Sequence, residues 1–218
     1  MNIPNQAHQI NISLLLQSFM FFGVVTASIS GAIRAVESKM DITGAILLAF
    51  ITATAGGTVR DIIFNIDVFW IRQQIYIWLS CIIGAATFIF IYYKGRILGN
   101  KKINFILIVT DAMGIATFSL AGVEKSLALG QNDVVAVIMG VWTAVGGAVV
   151  ADVVSNRVPM VFTHELLYIT VAFFGSVCYL FLANNMNHTT ASVIAIIFMV
   201  ALRLLSVKYK WSLPTIPS

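Results

Sequence analysis

From Ile12 to Ile33 the chain carries no acid and no base, and runs of this kind recur along it. A bilayer core about 30 Å thick takes about 20 apolar residues in helical form, so runs of that length constrain the fold more than any other feature. Ile42 to Val59 is a second run and Gln73 to Tyr93 a third. Ile103 to Val123 is a fourth, interrupted once by Asp111, and Val134 to Ala151 is a fifth. Leu166 to Leu202 is too long for one span and breaks at the polar cluster Asn184-Asn185-Met186-Asn187-His188. It reads as two helices, roughly 166–183 and 189–206. The expectation is an all-α polytopic membrane protein of seven spans. The runs are solidly apolar rather than alternating, which favours helices over a barrel. Composition agrees: 59% of residues are apolar and only 10% charged, too few to cover a water-facing surface. That excludes a soluble enzyme, a nucleic-acid-binding domain and a disordered chain.

The start lacks a basic n-region and a small-residue cleavage site, so residues 12–33 read as a retained first helix. Seven spans put the termini on opposite sides. The N-terminal side carries Arg60, Arg72 and Lys125. The other carries Arg34, Lys39, Lys94, Arg96, Lys101, Lys102, Arg157, Arg203, Lys208 and Lys210. The positive-inside rule places the N-terminus outside and the C-terminus in the cytoplasm. The Lys94, Arg96, Lys101 and Lys102 cluster is the strongest marker, and reads as topology or as an anionic-lipid contact. Cys81 and Cys178 fall in apolar runs and read as small buried hydrophobes.

The chain matches itself, without gaps, at a shift of 91 residues. Gly23 meets Gly114, Thr26 meets Thr117, Ser28 meets Ser119 and Gly31 meets Gly122. Ala45, Thr52, Ala53 and Gly56 meet Ala136, Thr143, Ala144 and Gly147, and Val59, Asp61 and Asn65 meet Val150, Asp152 and Asn156. These 11 identities over positions 23–65 compare with roughly 3 or 4 from composition alone, so a duplicated unit is expected. Basic residues coincide at Arg34 and Lys125. The unit holds three helices, an odd number, so its second copy enters the membrane upside down. Residues 12–93 form the first unit, 103–183 the inverted second, 189–206 a left-over seventh helix and 207–218 a cytoplasmic tail. Inverted repeats typify permeation proteins, whose path runs near the midplane beside helices broken by Gly or Pro.

Candidate residues follow from that frame. Gly56-Gly57 and Gly146-Gly147 sit near the end of the second and fifth spans. Paired glycines permit a kink, and carbonyls freed by a kink can replace a small cation's water shell. They also form a small-residue ridge with Ala49 and Ala53, matched by Gly140, Ala144 and Ala148, that lets helices approach closely. Asp61, with Arg60 beside it, and Asp152 follow the glycines as charged mouth residues or as interfacial acids in ion pairs. Asp111 is an acid inside a span, and such acids usually face a bundle interior or an ion path. Glu124 and Lys125 close the fourth span as a gate, a headgroup contact or a solvated helix end. The hydroxyls Thr26, Ser28, Ser30, Thr52, Thr54, Thr117, Ser119 and Thr143 line a wet path or bond their own backbone. His164-Glu165 is a lone pair, and no HExxH, GxSxG or Walker A pattern occurs. No enzyme, metal site or cofactor is expected.

Gly56-Gly57-Thr58-Val59-Arg60-Asp61, its echo from Gly146-Gly147 to Asp152, and the stretch from Asp111 through Gly114 to Gly122-Val123-Glu124-Lys125 resemble the prokaryotic branch of the trimeric intracellular cation (TRIC) channels. The same domain is also catalogued as a putative glycine transporter. The resemblance spans about residues 15–205. It implies a homotrimer with one pore in each protomer, seven helices, kinks at the glycine motifs of the second and fifth, and permeability to potassium and other monovalent cations. Asp61 and Asp152 would then lie near the pore, and Lys125 near the gate. The triple glycine of the family is reduced here to Ala55-Gly56-Gly57 and Gly146-Gly147-Ala148, and Ala151 stands where a second arginine is expected. The expected partners are the chain itself, the lipid bilayer with a possible bound lipid, and monovalent cations, with no nucleic acid. The alternatives are a secondary transporter of a small amino acid such as glycine, and a membrane scaffold whose glycines only pack helices.

Overall fold

The computed structural model describes residues 6–94, 101–162 and 167–211, and the structural statements below concern those residues. Arg96, His164-Glu165 and the tail beyond Trp211 lie outside them. The described residues are all-helical. The helices are α1 (Gln6–Glu37), α2 (Ile42–Ile63), the single turn α3 (Phe69–Arg72), α4 (Ile75–Lys94), α5 (Lys101–Ala128), α6 (Asp133–Val154), α7 (Tyr168–Ala183) and α8 (His188–Lys208). A short 3₁₀ turn, Met160–Phe162, follows α6. Five segments are long and apolar enough to cross a bilayer: Gln17–Glu37 of α1, and α2, α4, α6 and α8. α7 is apolar but only 16 residues long. α5 is interrupted by Asp111, Glu124 and Lys125.

The helix ends fall where local chemistry stops them. Asp41 caps α2 by accepting from Gly44 N at 2.8 Å, and Asn132 caps α6 by accepting from Val135 N at 3.0 Å. Each satisfies a backbone donor that the first helical turn leaves open. The two caps are 91 residues apart, and the coincidence continues on both sides. α1 ends at Glu37 and α5 at Ala128. Lys39 and Gly130 take left-handed backbone, at φ 58° and 74°, just past those ends. α2 ends at Ile63 and α6 at Val154, and Asn65 and Asn156 then turn left-handed at φ 52° and 54°. The turn is closed by Ile66 N to Asp61 O in one case and Arg157 N to Asp152 O in the other.

α2 and α6 cross at the centre of the bundle, through the glycines. A Cβ on Gly56 would come within 2.6 Å of the carbonyl oxygen of Thr143. A Cβ on Gly147 would overlap the carbonyl oxygen of Thr52 outright. Only a residue without a side chain lets two backbones meet this closely. Gly31 packs in the same way on Leu48 and Ala49, as does Gly122 on Met139 and Gly140. The helical assignment continues through both glycine pairs, so any bend there leaves the helix unbroken. Around this centre α1 and α5 supply half of the main buried apolar cluster, from Val24 through Ile115, Leu120 and Val123, and α7 and α8 add Val171, Tyr179, Ala195 and Met199. Cys81 and Cys178 are free and half-buried rather than fully enclosed.

Candidate functional site

The charged residues inside this bundle collect at its two ends, and each end pairs halves of the molecule that are far apart in sequence. α1 and α2 are joined by the short 38–41 turn, so the end of α1 and the start of α2 share one end of the bundle. There Arg34 Nη1 lies 2.7 Å from Asp152 Oδ1, near the last turn of α6, and also donates to the carbonyl oxygen of Ala148 at 3.2 Å. The last turn of α2 is at the opposite end. There Lys125 Nζ, from the last turn of α5, lies 2.9 Å from Asp61 Oδ1. Arg60 Nε donates to the same oxygen at 2.8 Å, and the backbone N–H of Phe69 donates to Oδ2 at 2.9 Å. Arg34 of α1 therefore pairs with Asp152 of α6, and Lys125, 91 residues after Arg34, pairs with Asp61, 91 residues before Asp152.

These pairs are buried. Asp61 and Arg60 are fully enclosed, Asp152 is 1% exposed and Arg34 7%. Removing such charges from water is costly and is offset only by close, hydrogen-bonded partners. Asp61 has three. Lys125 keeps about a quarter of its side-chain surface exposed, so the cluster has one wet member.

Each cluster adjoins a cavity. The one at the Asp61 end has a volume of about 580 Å³, with Arg60, Arg72, Lys125, Asp67, Asn65, Gln17 and Gln73 as its polar lining and Phe69 and Tyr76 among its apolar walls. α3, which sequence reading passed over as loop, supplies Phe69 and Arg72. Gly57 opens towards the Phe69 ring at this mouth. The other cavity, about 30 Å³, holds little more than a water. Its lining includes Thr26, Ser30, Arg34, Thr52, Asp111 and Tyr168. Thr52 of α2, Ala144 and Ala148 of α6, and Phe118, whose ring packs on Gly23, also line the small cavity.

The other expected site residues divide. Asp111 does face the small cavity, with Tyr168 donating to Oδ1 and Arg203 Nη2 lying 3.1 Å from Oδ2. Thr52 lines it too, while its hydroxyl donates to Leu48 O at 2.7 Å; Thr143 makes the matching bond to Met139 O at 2.6 Å. Ser28 and Ser119 do not reach either cavity's lining. Ser28 donates to Val24 O, and Ser119 bonds Ser176 and Ala172 O on α7. Gly146 packs on Gly56 and the Trp142 ring. Glu124 turns away from Lys125, accepts from Tyr179, and lies 3.6 Å from His188 Nδ1. Arg34, Tyr168 and Arg203 were not singled out by sequence reading. The 91-residue match of Arg34 with Lys125 was the available signal for the first, and a lone base in an apolar helix for Arg203.

The family model described as glycine transporter matches residues 17–92 and 108–184. A UPF0126 membrane protein of Vibrio cholerae is 34% identical over 203 residues, which is 92% of this chain and 82% of that protein. Among solved structures, one obtained for the structural basis of conductance through TRIC cation channels superposes with a TM-score of 0.82 at 31% identity, covering 93% of this chain and 97% of the other. The chain belongs to the prokaryotic TRIC family. The TRIC orthologue from Rhodobacter sphaeroides agrees, with a TM-score of 0.80 at 27% identity over 90% of this chain and 98% of its own. Membership in TRIC, a family of ion channels, means that the chain is a membrane protein and not an enzyme.

Proposed function

We propose that this chain is a monovalent-cation channel, permeable to potassium, with its pathway inside each protomer. The pathway would run from the 580 Å³ vestibule, past the α2–α6 crossing, to the small cavity at Asp111 and out beside Arg34 and Asp152. The observation that carries the reading is the crossed pairing of Arg34 with Asp152 and Lys125 with Asp61 at opposite ends of one bundle. In this reading the chain is an inverted 3+3 repeat plus a seventh helix, with α1, α2, α4, α5, α6, α7 and α8 as its spans. The 91-residue recurrence of caps, left-handed residues and glycine contacts supports that assignment. Both ends are latched, so this is a closed state.

Opening breaks the latches and bends α2 and α6 at their glycine pairs. Wetted hydroxyls and carbonyls at Thr52 and Thr143 then stand in for part of the ion's water shell. The paired glycines permit such a bend, and opening must loosen the close contacts of Gly56 with Thr143 and of Gly147 with Thr52. We further propose that three copies assemble in the cell's inner membrane. The bias of Lys and Arg towards the α1–α2 and C-terminal side places the N-terminus outside. The similarity to TRIC cation channels supports the trimer and the cation.

Planar bilayers with purified protein test this. Unitary current steps are expected, with a reversal potential in a potassium chloride gradient displaced towards potassium. Silence across voltages and lipids would overturn the reading. The glycine-transporter description of the matching family keeps a second reading in play, a carrier of a small amino acid. Saturable glycine uptake into proteoliposomes without unitary steps would select it.

A further inference from the structure

The small cavity contains one acid and one base in its lining, Asp111 and Arg34. Asp111 lies within α5 and is about one-fifth exposed. A free carboxylate there would attract a cation and repel an anion at the small cavity. Both of its oxygens are occupied. Tyr168 of α7 donates to Oδ1, and Arg203 of α8 lies 3.1 Å from Oδ2. Arg203 is 4% exposed, and its guanidinium also stacks over the Tyr168 ring at 4.5 Å, so two contacts fix its position. The base on the other wall, Arg34, is held by Asp152, which is outside the cavity lining.

α8 is the one long apolar helix that falls outside both 91-residue units, and Arg203 is the residue by which it reaches the pathway. Met20 stands 91 residues before Asp111 and lines the large vestibule instead. The chain has no acid at the matching place 91 residues earlier, and among the described residues lining this cavity Asp111 is the one acid.

We propose that Arg203 is a selectivity-determining residue: by neutralising Asp111 it caps the preference of the pathway for cations over anions. The inference rests on the channel reading above and adds a tunable charge to it. Arg203 occupies the carboxylate as a tethered cation, so a passing ion meets a compensated site. When Arg203 releases Asp111, the cavity becomes cation-attracting.

The test is the reversal potential in asymmetric potassium chloride, measured with full-length protein in planar bilayers. R203Q leaves Asp111 with Tyr168 alone, and the potassium-to-chloride permeability ratio should rise by about threefold or more. R203K returns the charge and should bring the ratio back towards the wild-type value, and D111N/R203Q should abolish the gain. A purely structural role for Arg203 predicts less protein or fewer open channels, with the ratio unmoved. An R203Q channel that conducts with the wild-type reversal potential overturns the inference while leaving the channel reading intact. Should R203Q fail to fold, D111N in the wild-type background decides. Its ratio should fall, because Arg203 then faces the cavity uncompensated; an unchanged ratio overturns the inference. A silent wild type removes the channel reading, and this inference with it.

Discussion

The two latched ends share a register and differ in construction. At the Asp61 end one carboxylate holds two bases and a backbone N–H, and it opens on a cavity of about 580 Å³. At the Asp152 end one guanidinium divides itself between a carboxylate and the Ala148 carbonyl, beside a cavity of about 30 Å³. Arg60 is the source of the asymmetry, because Ala151 occupies its place in the other unit. At one end an enclosed acid is shared by surplus base, and only Lys125 among them reaches water. The other end is a buried pair of one base and one acid, with the Ala148 carbonyl beside it. The 91-residue match keeps the position of each charge, while the surroundings differ.

The largest expected effect follows from that surplus. D61N leaves Arg60, fully buried, and Lys125 without the carboxylate they share. Breaking a buried pair by removing one partner costs about 3–5 kcal/mol. The expected outcome is loss of the monodisperse species in size-exclusion chromatography. D152N should fall at the lower end of that range, since Arg34 keeps the Ala148 carbonyl. It should yield folded protein with a lowered apparent Tm. If D152N is the more damaging, the Asp61 end is not the one that needs its acid more.

Replacing the bases inverts the comparison. K125Q removes a partly exposed base and leaves Asp61 with Arg60 and the Phe69 N–H, so protein yield and Tm should change little. In bilayers it should conduct more readily, because one latch is gone. R34Q takes from Asp152 the guanidinium at 2.7 Å inside a nearly closed end. Its apparent Tm should fall well below that of K125Q. Equal melting of the two would dissolve the distinction between a wet latch and a dry one.

The glycine crossing gives the next effect in size. G147A places a methyl on the Thr52 carbonyl, and overpacking of this kind costs about 1–3 kcal/mol. Gly130 has no atom within 4 Å of such a methyl, and only its φ of 74° resists the change. G130A should cost about 1–2 kcal/mol, the left-handed penalty of a residue with a side chain. Melting curves in one detergent would rank them. A G147A no worse than G130A would deny the close approach of α2 and α6.

Much of this was legible beforehand, and the remainder was hidden for physical reasons. The apolar runs anticipated an all-helical fold, in which five segments are long and apolar enough to cross a bilayer, because lipid demands continuous helix and apolar composition shows it directly. The 91-residue match anticipated paired features down to the caps Asp41 and Asn132. The pairing of Arg34 with Asp152 was not legible, since a repeat tells which residues are alike and not which ones touch. Tyr168, Tyr179 and Arg203 come from helices outside or late in the repeat, where nothing in the sequence links them to Asp111 or Glu124. Ser28 and Ser119 looked like lining residues, yet a helical hydroxyl can satisfy itself on the preceding turn or a neighbouring helix. The glycines were read two ways, as hinges and as ridges, and the closest approach in the bundle falls on them.

The smallest effect comes from the pair on the rim of the vestibule. Arg72 Nη2 lies 2.5 Å from Asp67 Oδ2, but the two side chains are 73% and 62% exposed. Exposed pairs are worth about 0.2–1 kcal/mol, so D67N should scarcely move the Tm. Its consequence is electrostatic. Both residues line the large cavity, and losing the acid leaves a mouth that already holds Arg60 and Lys125 more basic still. Cation conductance should drop at about 10 mM salt, where the Debye length is about 30 Å, and recover at about 1 M, where it is about 3 Å. A matching change of charge at the opposite mouth, E37Q beside Arg157, lies outside both cavity linings and should give a weaker salt dependence. Equal salt dependence of D67N and E37Q would show that the vestibule does not concentrate the field, and would remove the ground for treating the Asp61 end as the wide, water-filled mouth of the path.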